Sequence, residues 1–490
     1  FNLTTHTLYL QDRWDVNDKL TLTYGLRADI YSQQKAPNEN PNFIARHGFS
    51  NSTSLNHKSI IQPRLSFTYD IDDKTLVRGG VGKFGGGDPL VWVSNSYSLD
   101  GVTIDSEFTT DPAIINGLDF RSIPQVIQDA LEPGNGDTSV IDPDYKIPSI
   151  WKMNLAVERY FDLGALGEDW HFTAEAIWSR NKNPVDWKEL RRSVIGTAID
   201  GSPIYDQPGG FDLMLTNNTG GGSNVYAFSF DKSWDNGFSV FGSYTYTDAN
   251  IANEGTSSTA QSNFNFAAHL DRNNRAVGTS VFERPHQIKL GATMRKDFWE
   301  DNFTTVSLFY TGRSGRPYSI TLDEFIQFGG DRSIDSGDGH LVYVPLEGET
   351  AVLGSAGVDT AKVVFADADV QADFNALVQN FGLKRGQSVD LQGERAPWTN
   401  DLDLRVSQEV PVGKYGKIEL WMDMQNVLNF INNGWGEVYE SNFAQQAMVD
   451  ALVNQSTGQF LYTNVEAAPF LTFRDVDSVW TVQFGVKYKF

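Results

Sequence analysis

Apolar and polar residues alternate along many segments of this chain. The last twelve residues show this pattern over their full length, with apolar side chains at Trp480, Val482, Phe484, Val486, Tyr488 and Phe490. Side chains along a strand point alternately to its two faces, so the pattern predicts a strand with one apolar and one polar face. The segments 20–30, 305–310 and 418–425 alternate in the same way.

This alternation sorts the strand residues into two rows. We expect the apolar row to face lipid, and its members include Leu22, Tyr24, Val306, Leu308, Leu420, Val482 and Val486. We expect the polar row on the opposite face, with members Thr23, Arg27, Ser307, Glu419, Asp423 and Gln483. The segments are about 10–14 residues long, which suits a tilted strand that crosses a bilayer better than an ordinary strand of about 5–6 residues.

Thirteen such strands are predicted. Twelve form pairs across short turns rich in Asn, Asp and Gly, which tolerate the positive φ of tight hairpins. The pairs are 6–16 with 19–31, 62–71 with 74–84, 149–161 with 169–180, 223–233 with 237–248, 284–298 with 302–313, and 400–410 with 416–430. The last strand is 479–490. Long connections separate the pairs, at about 32–61, 85–148, 181–222, 249–283, 314–399 and 431–477.

Short turns that alternate with long connections predict an all-β fold, a transmembrane antiparallel β-barrel. In such barrels the periplasmic turns are short and the extracellular loops are long. The final strand follows a long connection, so we expect the C-terminus in the periplasm. Bacterial single-chain barrels have even strand numbers. The odd count therefore predicts that residues 1–490 are the C-terminal portion of a longer barrel protein.

Three helices are predicted within the long connections. Apolar residues at helical spacing indicate one helix from Val370 to Phe381, and Gly382 is placed to end it. Weaker patterns indicate short helices at Ser122–Leu131 and Ser441–Leu452. No run of 18 apolar residues indicates a transmembrane helix.

Charge narrows the range of partners. The net charge is −23, which disfavours a nucleic-acid partner because the excess carboxylates repel phosphates, and we predict none. Connection 85–148 contains eleven Asp and Glu against two Lys and Arg, and connection 314–399 contains thirteen against six. Such loops repel anionic ligands and attract cations or basic polypeptides. Aromatic residues make up 13% of the chain, and cysteine is absent.

Three patterns are candidates for metal binding, nucleotide binding or catalysis. Asp331, Asp335 and Asp338 could bind Ca²⁺ through carboxylate oxygens, although the spacing is not that of an EF-hand and a solvated acidic loop is the alternative. Gly80 to Gly85 matches G-x-G-x-x-G, but Gly86 to Pro89 would break the helix that a dinucleotide site needs. The seven histidines are scattered, His340 is expected to face solvent, and no catalytic motif is present. We therefore predict no enzyme activity and no cofactor.

Motifs spread over most of the chain resemble the barrel of TonB-dependent outer-membrane receptors, in particular the Oar-like branch. The segments that carry the resemblance are Thr7–Arg27, Ser223–Thr247, Arg284–His286, Ser314–Tyr318, Arg395–Gln408 and Glu419–Phe430. The last strand also resembles the closing strand of an outer-membrane barrel. In that class the terminal aromatics, here Trp480, Tyr488 and Phe490, serve as a signal for the barrel-assembly machinery.

The resemblance implies a 22-stranded barrel with an N-terminal plug, of which this sequence would lack the plug and about nine strands. It implies a location in the outer membrane of a Gram-negative bacterium, with lipid and lipopolysaccharide around the barrel and TonB acting through the plug. It also implies a receptor that binds a ligand on extracellular loops and moves it inward. A secretion or surface-interaction component and a passive porin are the alternatives. For the ligand, the acidic loops favour a peptide, protein or glycan.

Overall fold

Thirteen long antiparallel strands follow one another in a single sheet, here called the wall. The computed structural model describes residues 1–85, 90–104, 109, 111–116, 121–131, 134–206, 210–299, 301–323 and 339–490. In chain order the wall strands are β1 Leu3–Asn17, β2 Leu20–Gln33, β3 Ser59–Asp72, β4 Thr75–Gly85, β5 Ser149–Phe161, β6 Trp170–Lys182, β7 Gly222–Ser233, β8 Phe238–Ile251, β9 His286–Trp299, β10 Asn302–Arg313, β11 Thr399–Pro411, β12 Lys417–Gln425 and β13 Thr481–Lys489.

Each wall strand pairs with its neighbours in the chain, which confirms the six predicted hairpins and the final strand. A two-residue strand, Gly278–Thr279, adds to β8. The strand order begins at β1 and ends at β13. Among the described residues, no ladder joins β1 to β13. The wall is therefore an open sheet with two free edges.

The register keeps the two predicted rows on opposite faces across the wall. Residues that pair directly in an antiparallel ladder lie on the same face. Apolar pairs include Tyr24 with Leu65, Leu308 with Leu404, and Leu420 with Val486. Polar pairs include Thr23 with Ser66, Ser307 with Arg405, and Asp423 with Gln483. Each row thus continues from strand to strand as one face of the sheet.

Strand β12 is shorter than its alternation predicts. We expected it to continue to residue 430, but it ends at Gln425 and a short helix, Val427–Ile431, follows. Asn426 makes this change of direction with a φ of 51°. Its side chain accepts a hydrogen bond from the Asn429 N–H and donates to the carbonyl of Ser478. These side-chain bonds, one local and one to a residue 52 positions away, compensate for ending the ladder early.

The long connections are folded rather than irregular. Their helices, with those of the short turns, are Pro41–His47, Leu90–Ser98, Pro112–Ile115, Gln125–Ala130, Gly164–Leu166, Ala260–Asn265, Glu347–Glu349, Val358–Thr360, Ala368–Phe381, Gly413–Tyr415, Val427–Ile431 and Asp475–Ser478. Their strands are Thr138–Ile141, Val185–Glu189, Val194–Thr197, Pro203–Tyr205, Asp212–Asn217, Pro317–Asp323, Tyr343–Val344, Thr350–Val352, Val363–Phe365, Gln387–Ser388, Glu394–Arg395, Tyr439–Ser441, Gln445–Val453, Phe460–Val465 and Leu471–Phe473. Within the described ranges, no helix has the length and apolar character to cross a membrane.

Two of the three predicted loop helices are present. Ala368–Phe381 begins at Asp367, whose carboxylate accepts hydrogen bonds from the N–H groups of Asp369 and Val370, and it ends at Gly382. Gln125–Ala130 lies inside the second predicted helix. The prediction at Ser441–Leu452 is wrong, because Gln445–Val453 is a strand.

That strand lies in the middle of a six-stranded sheet built from the long connections. It pairs in parallel with Pro317–Asp323 and antiparallel with Phe460–Val465. The apolar residues of its sequence, Q-Q-A-M-V-D-A-L-V, fit either element. The ladders on both sides decide for the strand, because they pair the backbone groups of a segment that is otherwise buried.

The connections enclose two hydrophobic cores. The first core lies around a three-stranded sheet of Thr138–Ile141, Asp212–Asn217 and Val185–Glu189, and contains Leu55, Trp187 and Phe264 among its buried residues. The second core lies between the six-stranded sheet and helix Ala368–Phe381, with Phe365, Phe374 and Tyr462 at its centre. The long connections therefore form a packed body at one end of the wall, here called the loop body.

Candidate functional site

An ion-pair cluster around Asp212 joins the first and third long connections. The Asp212 carboxylate is fully buried and lies 2.9 Å from Nε of Arg46, 2.6 Å from Nε2 of His47 and 3.1 Å from Nε of Arg191. Burial acts to raise the pKa of Asp212, but Arg191, Arg46 and His47 outweigh it and the pKa lies below its usual value. A charged carboxylate thus fixes helix Pro41–His47 against the three-stranded sheet.

Two further buried pairs join other connections. Asp186 accepts a hydrogen bond from Nη1 of Arg275 at 2.8 Å, and both side chains are nearly inaccessible. His340 Nε2 lies 3.1 Å from the Asp200 carboxylate in the interior. The expectation that His340 faces solvent is therefore wrong. Burial acts to raise the pKa of Asp200, but contact with His340 holds that pKa below its usual value.

An open cavity of about 410 Å³ lies between the fourth, fifth and sixth connections and is here called the loop cleft. Three aromatic side chains line it, namely Phe266, Phe282 and Phe443, and all three are exposed. The rings of Phe266 and Phe443 are stacked, with centroids 6.4 Å apart and planes 29° from parallel. The cleft therefore presents apolar surface to solvent, where most apolar side chains of the connections are buried.

Two side-chain amides that line the loop cleft each have one atom without a hydrogen-bond partner. Gln392 and Gln445 are 4% and 8% exposed, yet Oε1 of Gln392 and Nε2 of Gln445 have no hydrogen bond within the described part of the chain. Their backbones are fixed, because the Gln392 N–H donates to Oγ of Ser319 at 2.8 Å and the Ser319 N–H donates to the carbonyl of Ala444 at 2.7 Å. Buried polar groups are rarely left unpaired, so these two atoms need an explanation.

One acidic and one basic side chain also line the loop cleft. Glu254 accepts a hydrogen bond from the Val281 N–H at 2.8 Å, and burial raises its pKa above the usual value. Arg316 is exposed. The cleft thus combines apolar rings, unpaired amides and a single charge of each sign, although the connections as a whole are acidic.

A second depression, of about 430 Å³, lies on the polar face of the wall. Gly80 and Gly82 leave it open, and Arg64, Lys152 and Glu175 supply charge at its surface. A Cβ added at Gly80 would lie 3.0 Å from the carbonyl of Leu65, which is a tight contact, so the glycine eases the approach of the two strands. The G-x-G-x-x-G pattern therefore belongs to strand β4, while its predicted helix-breaking residues 86–89 lie outside the described residues.

The sequence-predicted site residues have different outcomes. Asp331, Asp335 and Asp338 lie outside the described residues, so calcium binding there stays a prediction. In the part that is described, no group of three acidic or histidine side chains is arranged to hold a metal ion. Trp480 packs edge-on against Phe430 with ring centroids 5.3 Å apart, while Tyr488 lies beside Phe490 at 6.0 Å. Their role in assembly stays a prediction.

Sequence reasoning missed the loop cleft. Phe266 and Phe443 stand in the polar segments S-N-F-N-F-A and S-N-F-A-Q-Q. Apolar rings among Ser, Asn and Gln residues of a long connection were the available sign of a binding surface. The pairing of the two segments, which are about 180 residues apart, depends on the folded connections.

With the wall and the connections described, comparison with known proteins decides the family. The family model described as "Outer membrane beta barrel domain" matches residues 1–450. This chain belongs to that family. As an outer-membrane β-barrel protein it resides in the outer membrane of a Gram-negative bacterium. No curated protein matches the chain.

Solved structures that resemble this outer-membrane β-barrel protein include the outer membrane transporter YddB from Escherichia coli, with 12% identity, a TM-score of 0.45, and coverage of 100% of this chain and 45% of that chain. The siderophore receptor PirA from Acinetobacter baumannii has 12% identity, a TM-score of 0.45, and coverage of 100% and 46%. The FrpB iron transporter from Neisseria meningitidis has 9% identity, a TM-score of 0.44, and coverage of 100% and 45%. This chain therefore spans about half the length of these proteins, whose names describe transporters and receptors rather than enzymes.

Proposed function

We propose that this chain is the C-terminal part of a TonB-dependent receptor that binds a ligand on its long connections and moves it across the outer membrane. The observation that carries the proposal is the loop cleft within a packed body of connections. Loops that only narrow a passive pore need no hydrophobic cores. Two cores fixed by buried ion pairs instead hold a preformed surface for a ligand, which is how most ligand sites are built.

The open wall supports the view that further strands complete the barrel. Unpaired backbone N–H and C=O groups in the hydrocarbon region each cost several kcal/mol, so a spanning sheet has to close. About nine upstream strands would complete the 22-stranded barrel of this receptor class, whose lumen holds a plug. TonB would act through that plug, with the loop body outside the cell and β13 ending in the periplasm.

The surroundings of the protein follow from the same arrangement. Lipid and lipopolysaccharide would contact the apolar face, and the barrel-assembly machinery would read Trp480, Tyr488 and Phe490. The net charge of −23 disfavours strongly anionic ligands. A peptide, protein or glycan therefore suits the connections better than an anionic metal complex. Any Ca²⁺ bound by Asp331, Asp335 and Asp338 would stabilise a connection rather than take part in transport.

Uptake measured by ligand class tests the proposal. Cells that carry the full-length protein would receive fluorescent pools of short peptides, oligosaccharides and small proteins, and the same cells without the gene or without TonB would serve as references. We expect one pool to enter only when both the gene and TonB are present.

The alternatives give other results. Entry that needs the gene but not TonB would indicate a passive porin. No entry of any pool, with proteins missing from the medium when the gene is deleted, would indicate a secretion component. Either result would contradict the proposed receptor.

A further inference from the structure

The two unpaired amides of the loop cleft differ in kind. Oε1 of Gln392 is a hydrogen-bond acceptor and Nε2 of Gln445 is a donor. Each is nearly inaccessible in the structure, so each gives up hydrogen bonds with water without gaining one in the protein. A ligand that supplies one N–H and one C=O would satisfy both atoms.

The backbone at Gln392 adds a second sign of function. Its φ of 47° is in the left-handed region, which a residue with a long side chain rarely adopts. Strained backbone of this kind is concentrated at ligand-binding positions. The residue at this strained position in the cleft lining is a glutamine rather than a glycine or an asparagine.

The rest of the cleft lining combines apolar rings with small polar side chains such as Ser257, Ser262 and Asn442. Phe282 and Phe443 are 61% and 65% exposed, so both rings present most of their surface to solvent. Such rings at a cleft act as anchors for an apolar side chain of a ligand. The single pair of opposite charges at Glu254 and Arg316 gives no net attraction for a strongly charged ligand.

We infer that the loop cleft binds a peptide through one main-chain amide, held by Gln392 and Gln445, and one aromatic or large apolar side chain, held by the Phe266–Phe443 pair and Phe282. This inference rests on the proposed function and names the ligand class of that receptor. A main-chain amide has one N–H and one C=O, which is the complement of the two unpaired atoms. The terminal torsion of a glutamine is soft, so each amide turns toward the ligand at little cost.

A glycan would also contact this lining, because the C–H face of a sugar stacks on aromatic rings and its hydroxyl groups bond to amides. The two unpaired atoms favour a peptide, since one is an acceptor and the other a donor and a single main-chain amide supplies the complement of both. Binding of an oligosaccharide in place of the peptide is therefore the outcome that would contradict the assignment.

Binding to the purified full-length protein in detergent micelles tests this inference. The probe is the tripeptide Ala-Phe-Ala with an acetyl and an amide cap, and its partner probe carries ester bonds in place of the amides that flank Phe. An ester keeps the carbonyl and loses the N–H. We expect the native protein to bind the peptide about five to tenfold more tightly than the ester, which is the worth of one hydrogen bond.

The ratio of peptide affinity to ester affinity, measured in a variant of Gln392, tests whether this residue accepts the hydrogen bond. Gln392→Asn tolerates the left-handed backbone, but its shorter side chain does not reach the ligand. We expect the peptide-to-ester ratio to fall to about one in this variant. A ratio that stays unchanged would overturn the role of Gln392, even if both affinities decreased through a change in the loop.

Two phenylalanines provide a matched pair for the apolar contact. Phe443→Ala should weaken peptide binding about tenfold or more, as truncation of an aromatic anchor does. Phe470 is 61% exposed and belongs to the same long connection, but it does not line the cleft. Phe470→Ala should leave the affinity unchanged, and equal losses in both variants would contradict the site.

The results also separate this inference from the proposed function. Peptide binding with the expected ratios but no TonB-dependent uptake would leave the site standing and reject the receptor function. TonB-dependent uptake of the oligosaccharide pool alone, with no tripeptide binding, would keep the receptor function and overturn the peptide assignment.

Discussion

At the scale of single residues, a few buried carboxylates hold the connections of the loop body together through ion pairs. Asp212 is fully buried and contacts cationic groups on two connections. Nothing in the sequence around Asp212 distinguishes it from the many exposed acidic residues of these connections. Its partners Arg46 and His47 are more than 160 residues away in the chain, so only the folded structure reveals the cluster.

Substitution of Asp212 tests the importance of this cluster. Asp212→Asn removes one charge from a buried group of ion pairs and should lower the free energy of unfolding of the loop body by about 3–5 kcal/mol at neutral pH. The control is Asp144→Asn at an exposed aspartate, which should change it by less than about 0.5 kcal/mol. Hydrogen exchange of the amides around 43–47 and 212–216 would report both effects.

The pH dependence of the same region follows from the lowered pKa of Asp212. Because the folded-state pKa lies below the unfolded value of about 3.9, the stabilisation is present at higher pH and is lost as the pH falls through the folded-state pKa. We expect the protection of these amides in the native protein, measured against the intrinsic exchange rate at the same pH, to decrease below about pH 4. Asp212→Asn should lack that part of the acid sensitivity, and an unchanged acid response would contradict the assignment.

Gly237 is a second residue whose role is fixed by its surroundings. Its φ is 85°, and an added Cβ would lie 1.8 Å from the carbonyl oxygen of Arg295 in the neighbouring strand. Gly164 also has a positive φ, of 59°, but has nothing within 4 Å of an added Cβ. The two positions therefore separate backbone strain from steric overlap.

We expect Gly164→Ala to cost about 1–2 kcal/mol, the price of left-handed backbone for a residue with a Cβ. Gly237→Ala should cost clearly more, about 3 kcal/mol or above, because the turn must also move away from β9. Urea unfolding of the two variants in detergent micelles would measure the difference. Equal losses would show that the turn moves without resistance.

At the scale of elements, the wall was predicted well because its pattern is local. Alternation, turn residues and strand length all lie within about 30 residues of sequence, and they gave twelve paired strands and the final one. The exceptions arose where local patterns are ambiguous. Residues 441–452 have an apolar spacing that suits a helix or a strand, and two neighbouring strands, one of them more than 120 residues away in the chain, decided for the strand.

The two faces of the wall predict opposite responses to charge. Leu65 and Ser66 are adjacent in the middle of β3, with Leu65 paired to Tyr24 in the apolar row and Ser66 paired to Thr23 in the polar row. Leu65→Arg should cost about 2–4 kcal/mol in a bilayer, because it places a cation in lipid. Ser66→Arg should cost far less. Unfolding from lipid vesicles would measure both, and a larger loss for Ser66→Arg would reverse the face assignment.

At the scale of the whole molecule, the sheet and the loop body have different roles. The sheet supplies apolar surface for lipid and has two free edges, whereas the body supplies cores, ion pairs and the loop cleft. The final strand connects these features with assembly. Phe490 is fully exposed at the end of the apolar row, next to Tyr488.

We expect Phe490→Ala to lower the amount of protein in the outer membrane and to leave ligand affinity per folded molecule unchanged. Truncation of a terminal ring leaves the ladder between β12 and β13 intact, whereas the unfolded chain loses the residue that the assembly machinery would read. Phe298→Ala, at an exposed ring near the turn end of β9, is the control and should keep normal abundance. Normal abundance of Phe490→Ala with lost binding would contradict the assembly role.

The sequence by itself determined the wall. Its strands, their turns and their two faces follow from side-chain alternation and turn chemistry, which act between near neighbours in the chain. Apolar spacing and Gly382 likewise predicted the helix at Val370–Phe381, because helix ends depend on local hydrogen bonds, whereas its start at Asp367 came from the structure.

Only the tertiary structure decided the loop body and the candidate site. The burial of Asp212 and His340, the strand at Gln445–Val453 and the meeting of Phe266 with Phe443 each need segments far apart in the chain. Each such contact stabilises the fold only a little, whereas the packed set of contacts stabilises it strongly. A periodic pattern does not record them, because packing and desolvation act on neighbours in space rather than on neighbours in sequence.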